Sequence, residues 1–303
     1  VTGYAYRSPF DDWHDAAAVR SMAPDNWLVG APGPWIAADD GSVLADPALD
    51  GERRNRVEAG LLVAHLRFTV ALENSLISPV ARDIAAHHLA AAYSDSVVAD
   101  ALRVQCDEAY HAVLAQELMA RVTAMSGAAP VRRAPAFLQY VERLVSTVAQ
   151  VDAALLRFCA AVVAETLITK MLRDDWLDGG LQQDVRVFLH HHYLDEARHS
   201  AYFSRLLRVV WPQWPAGVRE AVRPLWPGLI DAFLATDALV VRDVLQDAGL
   251  GVDEIERAAS RGTGPEDVAR RRQRSARHTL YALRSAGALE EQGSSRAAAL
   301  EHT

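Results

Sequence analysis

Three features of this 303-residue sequence predict an all-α protein. Long stretches are rich in Ala, Leu, Val and Arg, which favour helix. Within them the core-facing positions recur at helical spacing, as in the stripe Val57, Leu61, His65, Phe68 and Leu72. No segment shows the two-residue alternation of a half-buried strand.

The elements follow in order. Residues 1–51 read as a loop-rich arm with at most short helices. Pro9, Pro24, Pro32, Pro34 and Pro47 interrupt it, with Gly30, Gly33 and Gly41 among them. Residues 52–287 read as one helical domain, with helices expected near 52–92, 96–126, 136–175, 181–209, 217–247 and 265–287. Pro79 should kink the first of these, because proline lacks the amide and crowds the preceding turn. Ser126-Gly127 with Pro130 marks one break. Asp178-Gly179-Gly180 marks another, and Trp211-Pro212 with Trp214-Pro215 a third. Residues 288–303 form a tail whose end, SSRAAALEHT, is expected to be an expression-vector scar.

Composition narrows the function classes. Half the residues are hydrophobic and 23% are charged, an ordinary globular balance. A net charge of −8 argues against nucleic-acid binding. No apolar run reads as a membrane span, and no basic-then-apolar leader opens the chain. Cys106 and Cys159 each lie in an apolar helical stretch and form no C-x-x-C pair, so two reduced, packed thiols in a cytoplasmic protein are expected.

The chemistry lies in two pentapeptides, Asp107-Glu108-Ala109-Tyr110-His111 and Asp195-Glu196-Ala197-Arg198-His199. On a helix, Glu and His three apart lie about 60° from one another and can face one point. A carboxylate and an imidazole converging there make half of a metal site. One such pair is weak evidence; two in an identical D-E-A-x-H frame are not. Helical di-metal carboxylate proteins combine two of these pairs with a lone Glu from each of two further helices. Glu73, in LRFTVALENSLI, and Glu165, in LRFCAAVVAETLITKM, fit that requirement, since an isolated Glu in apolar surroundings is costly unless paired or bound to metal. Glu73 precedes Glu108 by 35 residues and Glu165 precedes Glu196 by 31, and each gap fits one helical hairpin. The 57 residues from Glu108 to Glu165 leave room for the longer crossover of a ferritin-like four-helix bundle. The fold expectation is therefore such a bundle, with extra C-terminal helices and the N-terminal arm.

Asp107 and Asp195 each precede a motif histidine by four residues. They are expected to accept a hydrogen bond from the non-ligating nitrogen of His111 and His199, respectively. The competing reading is an Asp bonded to an arginine such as Arg198. In His190-His191-His192, only His192 lies one turn before Glu196, about 40° around the helix. It either reaches the same metal as Glu196 or faces water at a helix start.

The ordered set Glu73, E-A-Y-H at 108–111, Glu165 and H-x-x-x-E-x-x-H at 192–199 resembles the AurF-type di-iron N-oxygenases, which include p-aminobenzoate N-oxygenase. The likeness spans roughly residues 55–285. It implies seven metal ligands: Glu73, Glu108, His111, Glu165, His192, Glu196 and His199. It implies two iron ions, O2 as co-substrate, and oxidation of an amine nitrogen to hydroxylamine, nitroso or nitro products. A small, aromatic or amino-acid-derived biosynthetic metabolite is the implied substrate, and a homodimer is the implied assembly. The donor set agrees, since carboxylate and imidazole suit iron or manganese. No flavin or nicotinamide motif is present, so an external electron donor or reductase is expected.

The ligands leave C-hydroxylation and desaturation open, and a metal-storage or ferroxidase role is the rival from another class. The substrate pocket is expected one turn from the metals, near Leu72, Leu76, Val104, Ala112, Val162 and Thr169. The run Arg270-Arg271-Arg272-Gln273-Arg274 either anchors a substrate carboxylate or is a solvated face. The tryptophans between Trp211 and Trp226 either pack the last helices or form a dimer interface.

Overall fold

The computed structural model describes residues 5–22, 33–37, 42–177 and 179–289. Asp178, Pro24, Pro32, Gly30, Gly41 and the SSRAAALEHT tail lie outside the described residues. Among the described residues there are helices and no strands. The arm carries α1 (Trp13–Ala16), α2 (Ala18–Ser21) and a 3-10 turn (Val43–Ala45). Then come α3 (Gly51–Leu72), α4 (Ser78–Ala85), α5 (Asp95–Ser126), α6 (Ala136–Thr147), α7 (Ala153–Trp176) and α8 (Gln183–Val210). The C-terminal helices are α9 (Ala216–Val222), α10 (Trp226–Leu234), α11 (Ala238–Asp247), α12 (Val252–Ala259), α13 (Pro265–Ser275) and α14 (Arg277–Ser285).

Two hairpins make the bundle. The helix of α3 and α4 packs along α5, and α7 packs along α8. Contacts of α5 with α8 and of α4 with α7 join the hairpins. At 32 and 28 residues, α5 and α8 are long enough to carry the core and the motifs at mid-length. Gly127 ends α5 at φ +68°, a left-handed turn that glycine enters without strain.

The disturbance expected at Pro79 takes the form of a change of winding. The helix does not break; it widens into a π turn over Glu73–Ile77 and continues through Ala85. Pro79 has no amide to give back to this turn, and the wider winding absorbs the missing bond. The π turn begins at Glu73 itself. The resulting helix, Gly51–Ala85, is long and apolar enough to cross a membrane, against the sequence reading, and half of its apolar window is buried inside the chain. Those side chains serve the bundle core.

Two expected helices are subdivided. Residues 136–175 form α6 and α7, because Asp152 caps a new helix by accepting from the Ala154 amide at 2.7 Å. Residues 217–247 form α9, α10 and α11. Pro224 and Pro227 open new turns there, and Asp237 caps α11 through the Val240 amide at 3.2 Å. The stretch 265–287 is split at Ala276 into α13 and α14. Helix α12 was absent from the sequence reading; Glu254 stabilises its start by accepting from the Gly251 amide at 2.7 Å.

The tryptophans are interior. Trp211, Trp214 and Trp226 are buried, with Trp211 and Trp214 ring centroids 5.4 Å apart. Trp211 Nε1 donates to the Gly287 carbonyl and Trp214 Nε1 to that of Leu89. They pack the last helices onto the bundle, which removes the dimer-interface reading for these residues. Cys159 is buried as expected, whereas Cys106 is exposed. A second apolar cluster joins Val43, Leu44 and Leu49 of the arm to Val57 on α3 and to α11 and α12. Gly60 allows α11 to approach α3, since a Cβ there would lie 2.7 Å from Val244.

Candidate metal centre

Each half of the bundle delivers donors to its centre. The π turn after α3 presents Glu73, α5 presents Glu108 and His111, α7 presents Glu165, and α8 presents His192, Glu196 and His199. All seven are buried, with exposures of 2% or less. They sort into two groups whose donor atoms lie within 4.8 Å of one another: Glu73, His111 and His192, and Glu108, Glu165, Glu196 and His199.

Glu108 and Glu196 connect the groups. Glu108 turns Oε2 to His111 Nδ1 at 3.4 Å and Oε1 to His199 Nδ1 at 3.0 Å. Glu196 Oε1 lies 3.1 Å from His192 Nε2, 3.8 Å from His111 Nδ1 and 3.7 Å from His199 Nδ1. Glu73 serves one group, 3.4 Å from His192 Nε2, and Glu165 the other, 3.6 Å from His199 Nδ1. His192 therefore faces inward, beside His111 with ring centroids 4.3 Å apart, and the solvent-facing alternative is excluded. His190 and His191 are not among the seven converging donors.

These residues fit a metal pair. Glu73 Oε2, both Glu108 oxygens, Glu165 Oε2, Glu196 Oε2 and the Nδ1 atoms of His111 and His199 are buried without a hydrogen-bond partner. Such atoms cost several kcal/mol each unless a cation takes their lone pairs. Burial, and then repulsion from Glu108 and Glu196, pushes the Glu73 and Glu165 carboxyls well above the usual range. Glu196 is held well below it despite its burial, because the His192 and His199 imidazoles lie beside it at 3.1 and 3.7 Å. Burial alone would lower His111 and His199; Asp195 and Glu108 raise His111, and Glu108 and Asp107 raise His199. Four carboxyls crowd a dry interior and two of them, Glu73 and Glu165, are pushed toward holding their protons, which is the electrostatic signature of a cation site.

The outer carboxylates differ from expectation. Asp107 accepts from His199, with Nε2 at 3.1 Å, and Asp195 accepts from His111, with Nε2 at 2.9 Å. Each Asp orients the histidine of the other helix, not its own. On one helix, residues four apart sit one above the other, whereas the facing helix lies across the centre, where the distal imidazole nitrogen points. Asp195 also accepts from Arg198, so both readings of its role hold together. The arm supplies the remaining donors, which the sequence did not signal. Trp13 Nε1 donates to Asp107 at 2.8 Å, and the Ala18 amide donates to Asp195 at 3.1 Å. Phe10 packs against the His199 ring, with centroids 6.0 Å apart.

Four of the six expected pocket positions are core. Leu72, Leu76, Val104 and Val162 are buried in the bundle, and Thr169 bonds the Glu165 and Glu196 carbonyls at 3.0 and 3.1 Å. Those four, with Ala112 and Thr169, do not line the recesses bordered by Phe137, Arg274, Pro130 or Leu181. Of the arginine run, Arg272 pairs with Asp231, while Arg270, Arg271 and Arg274 border a surface recess.

A bundle with a lone Glu and a Glu-x-x-His pair from each hairpin, closing on one dry centre, defines a ferritin-like di-metal carboxylate protein. The family profile described as P-aminobenzoate N-oxygenase AurF matches residues 47–287, and the chain belongs to that family. It is accordingly an oxidoreductase, a di-iron N-oxygenase. No curated protein matches the chain.

Proposed function

We propose that the chain uses two iron ions and O2 to oxidise the amino nitrogen of a small aromatic amine, with electrons from a separate donor. Glu73, His111 and His192 would hold one ion and Glu165 and His199 the other, with Glu108 and Glu196 shared between them. The observation that carries this reading is the convergence of seven buried donors in two groups joined by Glu108 and Glu196.

When bound, an iron pair supplies the activation of O2 and the transfer of oxygen to nitrogen. The chain supplies the setting. Asp107 and Asp195 keep a proton on Nε2 of His199 and His111, which leaves each Nδ1 lone pair directed at the centre. Four carboxylates offset the charge of two divalent ions and favour the higher oxidation state. The apolar packing of Leu66, Leu72, Leu76 and Val104 around the donors keeps water from competing for the reactive centre.

The test is incubation of reduced, iron-loaded protein with a panel of arylamines and O2, read by mass spectrometry. Products with one or two oxygens on nitrogen are expected. Products oxygenated only on carbon would replace this reading with a hydroxylase, and iron oxidation without an organic product would replace it with a ferroxidase.

A further inference from the structure

A cavity of about 280 Å³ lies among α3, α6, α7, α10 and α11. Its walls are apolar and aromatic: Phe233 meets Phe68 and Phe137 edge-on, with centroids 5.8 and 5.0 Å apart, and Ile168 and Met171 close the α7 side. One buried polar atom in this lining has no hydrogen-bond partner, Nε2 of His65. An apolar core has no use for an unsatisfied imidazole nitrogen, which costs about 1–3 kcal/mol. A nitrogen bordering a cavity can be satisfied by what fills it.

The cavity borders two of the helices that lead into the metal site. His65 is two turns before Glu73 on α3, and Ile168 is one turn after Glu165 on α7. Burial, and then the nearby His192 imidazole, pushes His65 down to about 4, so at neutral pH it is an uncharged imidazole able to accept an N–H. Charged groups also line it, one acid, Asp237, and two arginines. Arg67 and Arg133 line the cavity, and Arg133 pairs with Asp243. Leu61, Thr236 and Val241 are shared with a second recess of about 610 Å³ lined by Arg261, Arg270, Arg271 and Arg274, with Asp267 as its acid. Arg271 is fixed there by the carbonyls of Leu234 and Gly262 at 2.8 and 2.9 Å.

We propose that this cavity holds the amine substrate, that His65 accepts a hydrogen bond from its amino group, and that the substrate is an arylamine with an anionic group on a tail reaching the arginine recess. The proposal rests on the N-oxygenase reading for the fate of the amine. The aromatic walls take the ring, His65 turns the nitrogen toward the metal centre, and the recess takes the charge. An anion directly on the ring would leave the recess unfilled; a tail of a few carbons spans the change from apolar wall to guanidinium.

The experiment measures dissociation constants by calorimetry on the iron-loaded protein. The probes are 4-aminobenzoate, 3-(4-aminophenyl)propanoate, 5-(4-aminophenyl)pentanoate, their methyl esters and their deamino analogues. Tail-bearing acids should bind at least tenfold tighter than their esters and tighter than 4-aminobenzoate, with the preference shrinking at high salt. Arg67→Gln and Arg274→Gln should each weaken the acids and spare the esters. His65→Phe should weaken the amines about tenfold and leave the deamino analogues unchanged; His65→Gln, which keeps a polar atom, should recover part of the loss. Ala232→Trp, which fills the cavity from α10, should abolish binding while iron content stays at the parent level. Equal affinity for acids and esters overturns the anionic tail. Parent-like binding by both His65→Phe and Ala232→Trp overturns the site. If the acids bind as described but no nitrogen is oxidised, the pocket stands and the N-oxygenase reading fails; if nitrogen is oxidised while these variants bind like the parent, the pocket fails alone.

Discussion

Asp107 and His199 meet across two helices, Oδ2 to Nε2 at 3.1 Å, although each has a motif partner on its own helix. Asp195 and His111 make the reciprocal contact at 2.9 Å, so each D-E-A-x-H segment holds the other's histidine in place. The exchange locks α5 to α8 at the level of the metal centre and determines which donor group each aspartate serves.

Asp107→Asn should therefore disturb the group containing His199, and Asp195→Asn the group containing His111. Each should lower affinity for the corresponding ion about 10–100-fold while the helical content stays unchanged. Stepwise metal titration followed by a spectroscopic probe of each ion checks this. If Asp107→Asn weakened the ion held by Glu73, His111 and His192 instead, the crossed pairing would be wrong.

Trp13 should matter to the metals despite lying in the arm. Its indole N–H is a donor to Asp107 at 2.8 Å. Trp13→Phe keeps an aromatic ring, though a smaller one, and removes that donor, a hydrogen bond to a charged group worth about 1.5–3 kcal/mol. The expected outcome is a lower melting temperature and faster loss of one ion to a chelator. Chelation kinetics identical to the parent would confine Trp13 to packing.

His192→Ala should loosen the ion of the Glu73–His111–His192 group first, because it removes one of that group's two imidazoles. His190→Ala and His191→Ala should retain the parent iron content. Iron per chain, measured after gel filtration, should fall toward one in the first variant and stay near two in the others.

Metal uptake should release protons. The His111 and His199 imidazoles and the Glu73 and Glu165 carboxyls are all raised well above their ordinary values, so part of this set is protonated near neutral pH. An arriving cation must displace those protons, and apparent affinity should rise with pH. Calorimetry of metal binding in buffers of differing ionisation enthalpy counts the protons released; a count of zero would contradict the raised values.

Asp46 gives a pH effect of opposite origin. Burial alone would raise this carboxyl, but Arg257 and then the Ala48 amide hold it below the usual range, with Arg257 Nε at 3.1 Å. A depressed folded value adds stability that is complete above the unfolded value of about 3.9 and is lost as pH falls through the folded value. Asp46→Asn should thus lower the melting temperature at pH 7, and the gap to the parent should close as pH falls through the depressed folded value. A gap that persisted in acid would show that packing, not charge, fixes the arm against α12.

The sequence by itself determined the donor inventory and the helical class. A doubled D-E-A-x-H frame and two Glu residues in apolar stretches are local signals, because helical periodicity places residues three and four apart on one face whatever the rest of the chain does. It also separated His192 from His190 and His191 by rotation alone. It did not determine what crosses between helices. The exchange of Asp107 and Asp195, the sharing of Glu108 and Glu196 and the reach of Trp13 to Asp107 depend on distances between segments far apart in the chain, and no periodicity encodes these. The π turn at Glu73 needed the same context: Pro79 announced a disturbance, and packing of α3 and α4 against α5 decided that the helix would widen and continue. The cavity beside His65 has the least local signature of all, since its walls come from five helices and its one polar lining atom without a partner, Nε2 of His65, stands out only once its neighbours are in place.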